Sequence, residues 1–195
     1  MTSREEFIEL YKSCIHRDGA DKLLEFLCGS SSDFFTAPAS TKFHLSREGG
    51  LCEHSIHVFK RLRKLYEAEY GECSDIKLET LAIVGLLHDL CKVNFYKLGY
   101  RNVKDENGKW QSVASYSIED TLAYGHGEGS VYVISAFMKL TREEALAIRW
   151  HMGGFDDSVR GGSRALNAAM DKCKLITFVH VADMMASYLD ECEAE

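Results

Sequence analysis

The sequence predicts an all-α domain that carries one small β-hairpin. Three observations lead there. The 195 residues hold a single proline, against roughly 5% in an average protein, and proline is the residue that breaks helix interiors. Apolar residues recur at helical spacing in successive segments bounded by caps and glycines. One Asn-Gly pair, Asn107-Gly108, lies between aromatic and β-branched runs, which is a hairpin signal.

Each element follows in order. Ser3-x-x-Glu6 reads as a capping box that opens a first helix, with Phe7, Leu10, Tyr11 and Cys14 on one face. A short second helix is expected near Ala20 to Cys28. The run Gly29 to Asp33 and the lone Pro38 mark a loop. Gly49 and Gly50 precede a long helix to about Gly71, and Ser74 caps the next, to about Lys92. Residues from about 95 to 118 form the hairpin around Asp105-Glu-Asn-Gly108. A helix starts near Gly127. Thr141-x-x-Glu144 caps another that ends at His151-Met-Gly-Gly154. The last helical region spans about 163 to 191, broken near Asp171.

The length fits one domain over residues 1–195, large enough to bury a core. A hydrophobic share of 46% rules out a disordered chain. The net charge of −7 argues against general nucleic-acid or membrane-surface binding, but leaves room for a small phosphate held at one spot. The polar start Met1 to Glu6 lacks an apolar signal region. The most apolar stretch, Leu175 to Leu189, is interrupted by His180 and Asp183 and is shorter than the roughly 20 residues of a membrane span. Seven cysteines, an odd number with no Cys-x-x-Cys pair, fit free thiols in a cytoplasmic protein. They read as small buried hydrophobes.

The chemistry-bearing residues are polar groups on apolar helices. His88-Asp89 ends the apolar run 82 to 90. A buried carboxylate costs several kcal/mol unless it is paired or bound to a metal. The pair is either a structural hydrogen-bonding unit or a ligand unit. Asp183 repeats the anomaly in Phe178 to Ala186, with no Lys or Arg within one turn. A distant basic residue or a metal must serve it. His54 shares a stripe with Val58, Leu62 and Leu65 and should point inward, whereas His57 shares a face with Arg61 and Lys64 and should be solvated. The run Lys60 to Lys64 reads as a solvated face. His126 precedes a helix and His151 ends one, both beside glycines that let the backbone turn sharply.

Taken in order, His54, His88-Asp89, His126, His151 and Asp183 resemble the HD superfamily of metal-dependent phosphohydrolases. The core pattern is His…His-Asp…Asp on a helical bundle, and the two intervening histidines are similar to those of its dinuclear branches. Phe43-His44 followed by Gly49-Gly-Leu-Cys-Glu-His54-Ser55 looks like the segment leading to the first ligand in bacterial HD proteins. The HD domains of YhaM-type 3′–5′ exoribonucleases are among these. His88-Asp-Leu-Cys-Lys92 looks like the His-Asp-x-x-Lys of many members. The resemblance covers about residues 43 to 189. No nucleic-acid-binding module accompanies it, and the Gly-Tyr-Pro signature of cyclic-dinucleotide phosphodiesterases is absent.

The resemblance implies an HD-domain helical bundle with two divalent transition metals, drawn from Mn, Fe, Ni, Co or Zn. Asp89 would bridge them, with His54, His88 and Asp183 on one and His126 and His151 on the other. A hydroxide activated by the metal pair would then cleave a phosphoester of a small nucleotide-like substrate. Lys92 would be a cation for the phosphoryl oxygens, or simply a Lys at a helix C-terminus. His44 would reach substrate or orient a ligand. Arg149 and Arg164 are candidate phosphate contacts, with surface salt bridging as the other reading. His180 should play a supporting role and His16 should lie on the surface. The hairpin, directly after the ligand pair, is a substrate lid or a decoration. A di-iron oxygenase of the same fold and a non-catalytic metal or nucleotide sensor are the alternative functions.

Overall fold

The computed structural model describes residues 1–192. The helices are α1 (Ser3–Cys14), α2 (Ala20–Cys28), α3 (Gly50–Tyr70), α4 (Asp75–Leu87), α5 (His126–Ser135), α6 (Arg142–Arg149), α7 (Asp157–Arg160), α8 (Ala165–Lys172) and α9 (Leu175–Met185). Strands β1 (Tyr96–Lys104) and β2 (Trp110–Ile118) form one antiparallel hairpin. The all-α expectation with a single hairpin therefore holds. None of the helices is long and apolar enough to cross a membrane, among the described residues.

α4 is the central rod. Every residue from Leu81 to Leu90 is buried, because α1, α3 and α6 pack around it. Such a helix is apolar all round, which matches its enclosed position. Gly85 makes the α3 contact possible: a Cβ there would lie 2.6 Å from Phe59 Cα. α9 closes the bundle against α3 and α6, with Leu175, Ile176, Val179 and Ala182 inward. Phe7, Tyr11, Leu23, Leu27 and Phe34 continue the core beneath α1 and α2.

Three boundaries differ from the sequence expectation. The first capping box is Thr2/Glu5, not Ser3/Glu6. Thr2 Oγ1 accepts from Glu5 N at 3.2 Å, and Thr2 N donates to Glu5 Oε2 at 2.8 Å. Both frames fit the Ser/Thr-x-x-Glu pattern; in the one adopted, Glu6 is free to pair with Lys60 at 2.6 Å. The fourth helix stops at Leu87, not Lys92: Asp89 has φ −106° and ψ 20°, and a 3₁₀ turn, Leu90–Lys92, follows. The break in the last helical region, expected near Asp171, falls at Cys173 and Lys174.

The second capping box forms as read, with Thr141 and Glu144. Glu144 is also wholly buried and accepts from Arg17 Nη1 at 2.7 Å, Arg17 Nη2 at 2.9 Å and Thr80 Oγ1 at 3.1 Å. The cap thus ties α6 to α4 and to the loop before α2. The hairpin runs in register from Tyr96↔Ile118 to Lys104↔Trp110. Its side chains Tyr100, Trp110 and Ile118 are largely exposed.

Candidate metal centre

Three helix ends and two helix interiors converge on one cluster. α3 brings His54, on the inward stripe with Val58 and Leu62. α4 ends just before His88 and Asp89, so both side chains leave the tip of a buried helix. The last carbonyls of a helix lack intrahelical partners. His88 meets one of these by donating from Nδ1 to Gly85 O at 2.9 Å. The same device recurs after α6, where His151 Nδ1 donates to Ile148 O at 2.7 Å. His126 opens α5 behind Gly125, whose φ is 85°. Gly127 lets α5 approach α6: a Cβ there would fall 2.2 Å from Arg149 O. α9 supplies Asp183.

The ring nitrogens left over point at one another. His54 Nε2 lies 3.3 Å from His88 Nε2 and 3.3 Å from Asp183 Oδ1. The two oxygens of Asp89 face different histidine pairs. Oδ1 is 2.8 Å from His126 Nε2 and 3.4 Å from His151 Nε2. Oδ2 is 3.6 Å from His54 Nε2 and 3.5 Å from His88 Nε2. Asp89, His54, His88 and His151 are buried, and Asp183 and His126 are half-buried.

The protonation pattern follows from these partners. A carbonyl can only accept, so Nδ1 of His88 and His151 carries the proton and Nε2 is left as a lone pair. His54 faces a carboxylate from each ring nitrogen, Glu191 at Nδ1 and Asp183 at Nε2, so a metal at Nε2 would take the place of the proton shared with Asp183. Burial, reinforced by the neighbouring His151 and His54, pushes His88 down to about 3. Burial opposes the charged form of His54 too, but hydrogen bonds to Asp183 and Glu191 outweigh it and raise this group to about 9. Burial likewise opposes ionisation of Asp89, and Lys92, His88 and His126 reverse this and hold it well below the usual carboxylate range.

This donor set suits a transition metal. His151 Nε2 is buried with no hydrogen-bond partner among the described residues, although Asp89 Oδ1 is 3.4 Å away. Two imidazole nitrogens bound to one tetrahedral metal lie about 3.3 Å apart, given metal–nitrogen bonds of about 2.0–2.1 Å. The His54–His88 spacing of 3.3 Å fits. The geometry groups His54, His88 and Asp183; His88, Asp89 and His151; and Asp89, Cys91 and His126 as sets that could hold an ion. Imidazole and carboxylate donors favour transition metals over calcium.

The remaining candidates fall into three groups. Lys92 is at the centre: its Nζ is 2.7 Å from Asp89 Oδ2 and 2.7 Å from Ala39 O. His44 stacks beside His54 with ring centroids 4.8 Å apart, and its Nε2 is buried without a partner among the described residues. Arg149 is engaged by Glu128 and by Asp156 at 2.7 Å, with its guanidinium over Trp150. Arg164 is exposed at the N-cap of α8 and makes no hydrogen bond or ion pair with the cluster. His180 supports His151 from behind, with Nδ1 2.7 Å from His151 O. His16 is exposed.

Sequence reasoning missed three features. His57 is not simply solvated: its Nδ1 lies 3.0 Å from Glu191 Oε1. Glu191 also meets His54 Nδ1, at 3.0 and 3.1 Å. No local pattern marks Glu191, which stands after α9 and far from His54 in sequence. Cys91 is half-buried rather than a core hydrophobe, with Sγ 3.5 Å from His126 Nδ1. Its place between Asp89 and Lys92 was the available signal. Cys14, Cys52 and Cys173 are buried as expected, while Cys28 and Cys192 are exposed.

Comparison with known proteins adds the family. The HD domain model matches residues 51–187, more than half of the chain. All six His and Asp residues of the cluster lie inside that span, whereas His44 and Glu191 lie outside it. No curated protein and no solved structure matches significantly. HD domains form a superfamily of metal-dependent phosphohydrolases, and with the model matched over more than half of its length this chain belongs to the HD domain family.

Proposed function

We propose that this protein is a phosphohydrolase that cleaves a phosphoester of a small, nucleotide-like substrate at a centre for two divalent transition metals. The observation that carries this reading is the placement of Asp89. One of its oxygens faces His126 and His151 and the other faces His54 and His88. That is how a carboxylate between two ions would be disposed. His54, His88 and Asp183 would hold one ion, His126 and His151 the other. Mn, Fe, Ni, Co and Zn all suit the donors. When bound, the pair supplies Lewis acidity toward phosphoryl oxygens and lowers the pKa of a water.

The chain's own residues do the rest. Hydrogen bonds from Nδ1 of His54, His88 and His151 fix their ring orientation in advance, so little reorganisation is needed on binding. Lys92 spends two of its three N–H donors on Asp89 and Ala39. The third is available for a phosphoryl oxygen, where a fixed cation stabilises charge that develops in the transition state. His44 brings a buried, unpartnered Nε2 beside His54, suited to a contact with substrate. Arg149 stays with Glu128 and Asp156 and positions the end of α6. Of the two arginine candidates, exposed Arg164 is the one free to meet a phosphate. The likeness of residues 43–55 to HD domains of nucleotide-processing enzymes supports a nucleotide-like substrate.

Metal analysis of purified protein, followed by a phosphoester panel with each metal restored, tests this reading. Close to two metals per chain and anaerobic cleavage with Mn are expected. Saturation at one metal would remove the dinuclear assignment. Failure on every phosphoester, with O₂ uptake by the iron form in the presence of an organic substrate, would favour an oxygenase instead.

A further inference from the structure

α3 presents His54 and His57 about one turn apart, and both Nδ1 atoms lie 3.0 Å from the same oxygen, Oε1 of Glu191. Oε2 is 3.1 Å from His54 Nδ1. The Glu191 side chain is fully removed from solvent. A buried carboxylate persists only if its oxygens are matched by donors, and these two imidazoles are the donors.

The chain reaches this point by an unusual route. α9 ends at Met185, and the next turn, Ala186–Asp190, is a π-turn in which Glu191 N donates to Ala186 O at 3.1 Å. A π-turn adds a residue relative to an α-turn, and so swings the following side chain by about 100° around the axis. Asp190 then clamps the segment to α3 through Arg61, with Arg61 Nε 2.8 Å from Oδ2. The turn and the clamp together aim Glu191 under His54 rather than into solvent. The family match stops at residue 187, four residues before this carboxylate.

We propose that Glu191 is a positioning residue for the metal centre. It holds His54 in the tautomer that presents Nε2 to the metal. His57 is the second donor that keeps the carboxylate buried and ionised. The inference rests on the metal-centre reading and adds to it a residue that touches neither metal nor substrate. It also makes the two halves of the centre unequal. His54 is backed by a carboxylate, while His126 has only the Cys91 sulfur at 3.5 Å on its Nδ1 side. The metal held by His54, His88 and Asp183 therefore binds first and more tightly.

The test is a Co²⁺ titration of the full chain, read by its visible absorption in competition with a chelator. Wild type, Glu191→Gln, Glu191→Ala and Cys91→Ser are compared, with far-UV circular dichroism to confirm folding. Gln keeps an oxygen acceptor for His54, so E191Q should bind the first Co²⁺ within a few-fold of wild type. E191A should bind it about 10–100-fold more weakly, the usual cost of losing such a partner, while C91S should leave the first step unchanged. Equal affinities of E191A and wild type would overturn the proposal, as would equal losses in E191Q and E191A. Should E191A fail to fold, E191Q and a nitrogen-edited NMR spectrum of the His54 ring in the loaded protein decide: a ring without a proton on Nδ1 overturns it. Wild type that binds no Co²⁺ overturns the metal-centre reading together with this one.

Discussion

Replacing Lys92 with Met should destabilise the metal-free protein far more than the metal-loaded one. Lys92 Nζ and Asp89 Oδ2 are 2.7 Å apart, with side chains 11% and 3% exposed. Removing one member of a buried ion pair costs about 3–5 kcal/mol, because the other charge is stranded. Asp89 keeps His126 Nε2 at 2.8 Å, which places the loss at the lower end, about 3 kcal/mol. At about 2–4 °C per kcal/mol for a chain of this size, the melting temperature should fall by about 6–12 °C. A divalent ion at Asp89 replaces the lost charge, so saturating Mn²⁺ should reduce the fall to less than half. Thermal unfolding followed at 222 nm, with EDTA and then with Mn²⁺, measures both. An equal fall in the two conditions would refute the reasoning, since no cation would then reach Asp89. If the proposed phosphoester cleavage holds, the same variant of the metal-loaded protein should lower kcat by about 10²–10³ and change KM less, as expected for a contact made in the transition state.

Other perturbations test the frame around the centre. Arg17→Met strands wholly buried Glu144 and should cost about 3–5 kcal/mol in urea unfolding, with Glu144→Leu in that background recovering part of it; a loss below about 1 kcal/mol would mean that Thr80 and the α6 cap suffice. Burial opposes ionisation of Glu79, but the backbone N–H of His16 and the Arg17 guanidinium outweigh it and lower its pKa from 4.5. A depressed carboxylate contributes stability above its unfolded value, lost as pH falls through the folded value. Wild type should therefore lose stability as pH drops below about 4.5, and Arg17→Met should flatten that limb in a pH series of melts. Gly127→Ala places a methyl group 2.2 Å from Arg149 O. It should cost about 1–3 kcal/mol by overpacking and weaken the second metal step, since His126 is the preceding residue; an unchanged second step would show that His126 is not held by the α5–α6 approach.

What the sequence determined by itself was local. Helical periodicity and near-absence of proline set the fold class, because amphipathic spacing and backbone compatibility are properties of short segments. The Asn107-Gly108 turn placed the hairpin, Gly108 having the positive φ of 74° that only glycine takes freely. The inward direction of His54 and the enclosure of residues 82 to 90 followed from which neighbours were apolar. The order of the histidines and aspartates pointed to the family because His54, His88, Asp89 and Asp183 sit as polar exceptions on apolar stretches and His126 and His151 sit beside glycines at helix ends. Tertiary structure decided everything that needed a distance across the chain. Whether Asp89 stands between two histidine pairs depends on how α5 and α6 seat against the tip of α4, which Gly127 permits and no local pattern announces. Arg149 reads alike as a phosphate contact or a salt bridge until Glu128 and Asp156 are seen around it. Glu191 was silent because its meaning is a contact with α3, made only after a π-turn redirects the chain. Local propensity fixes which residues form an element; only packing fixes which side chains meet.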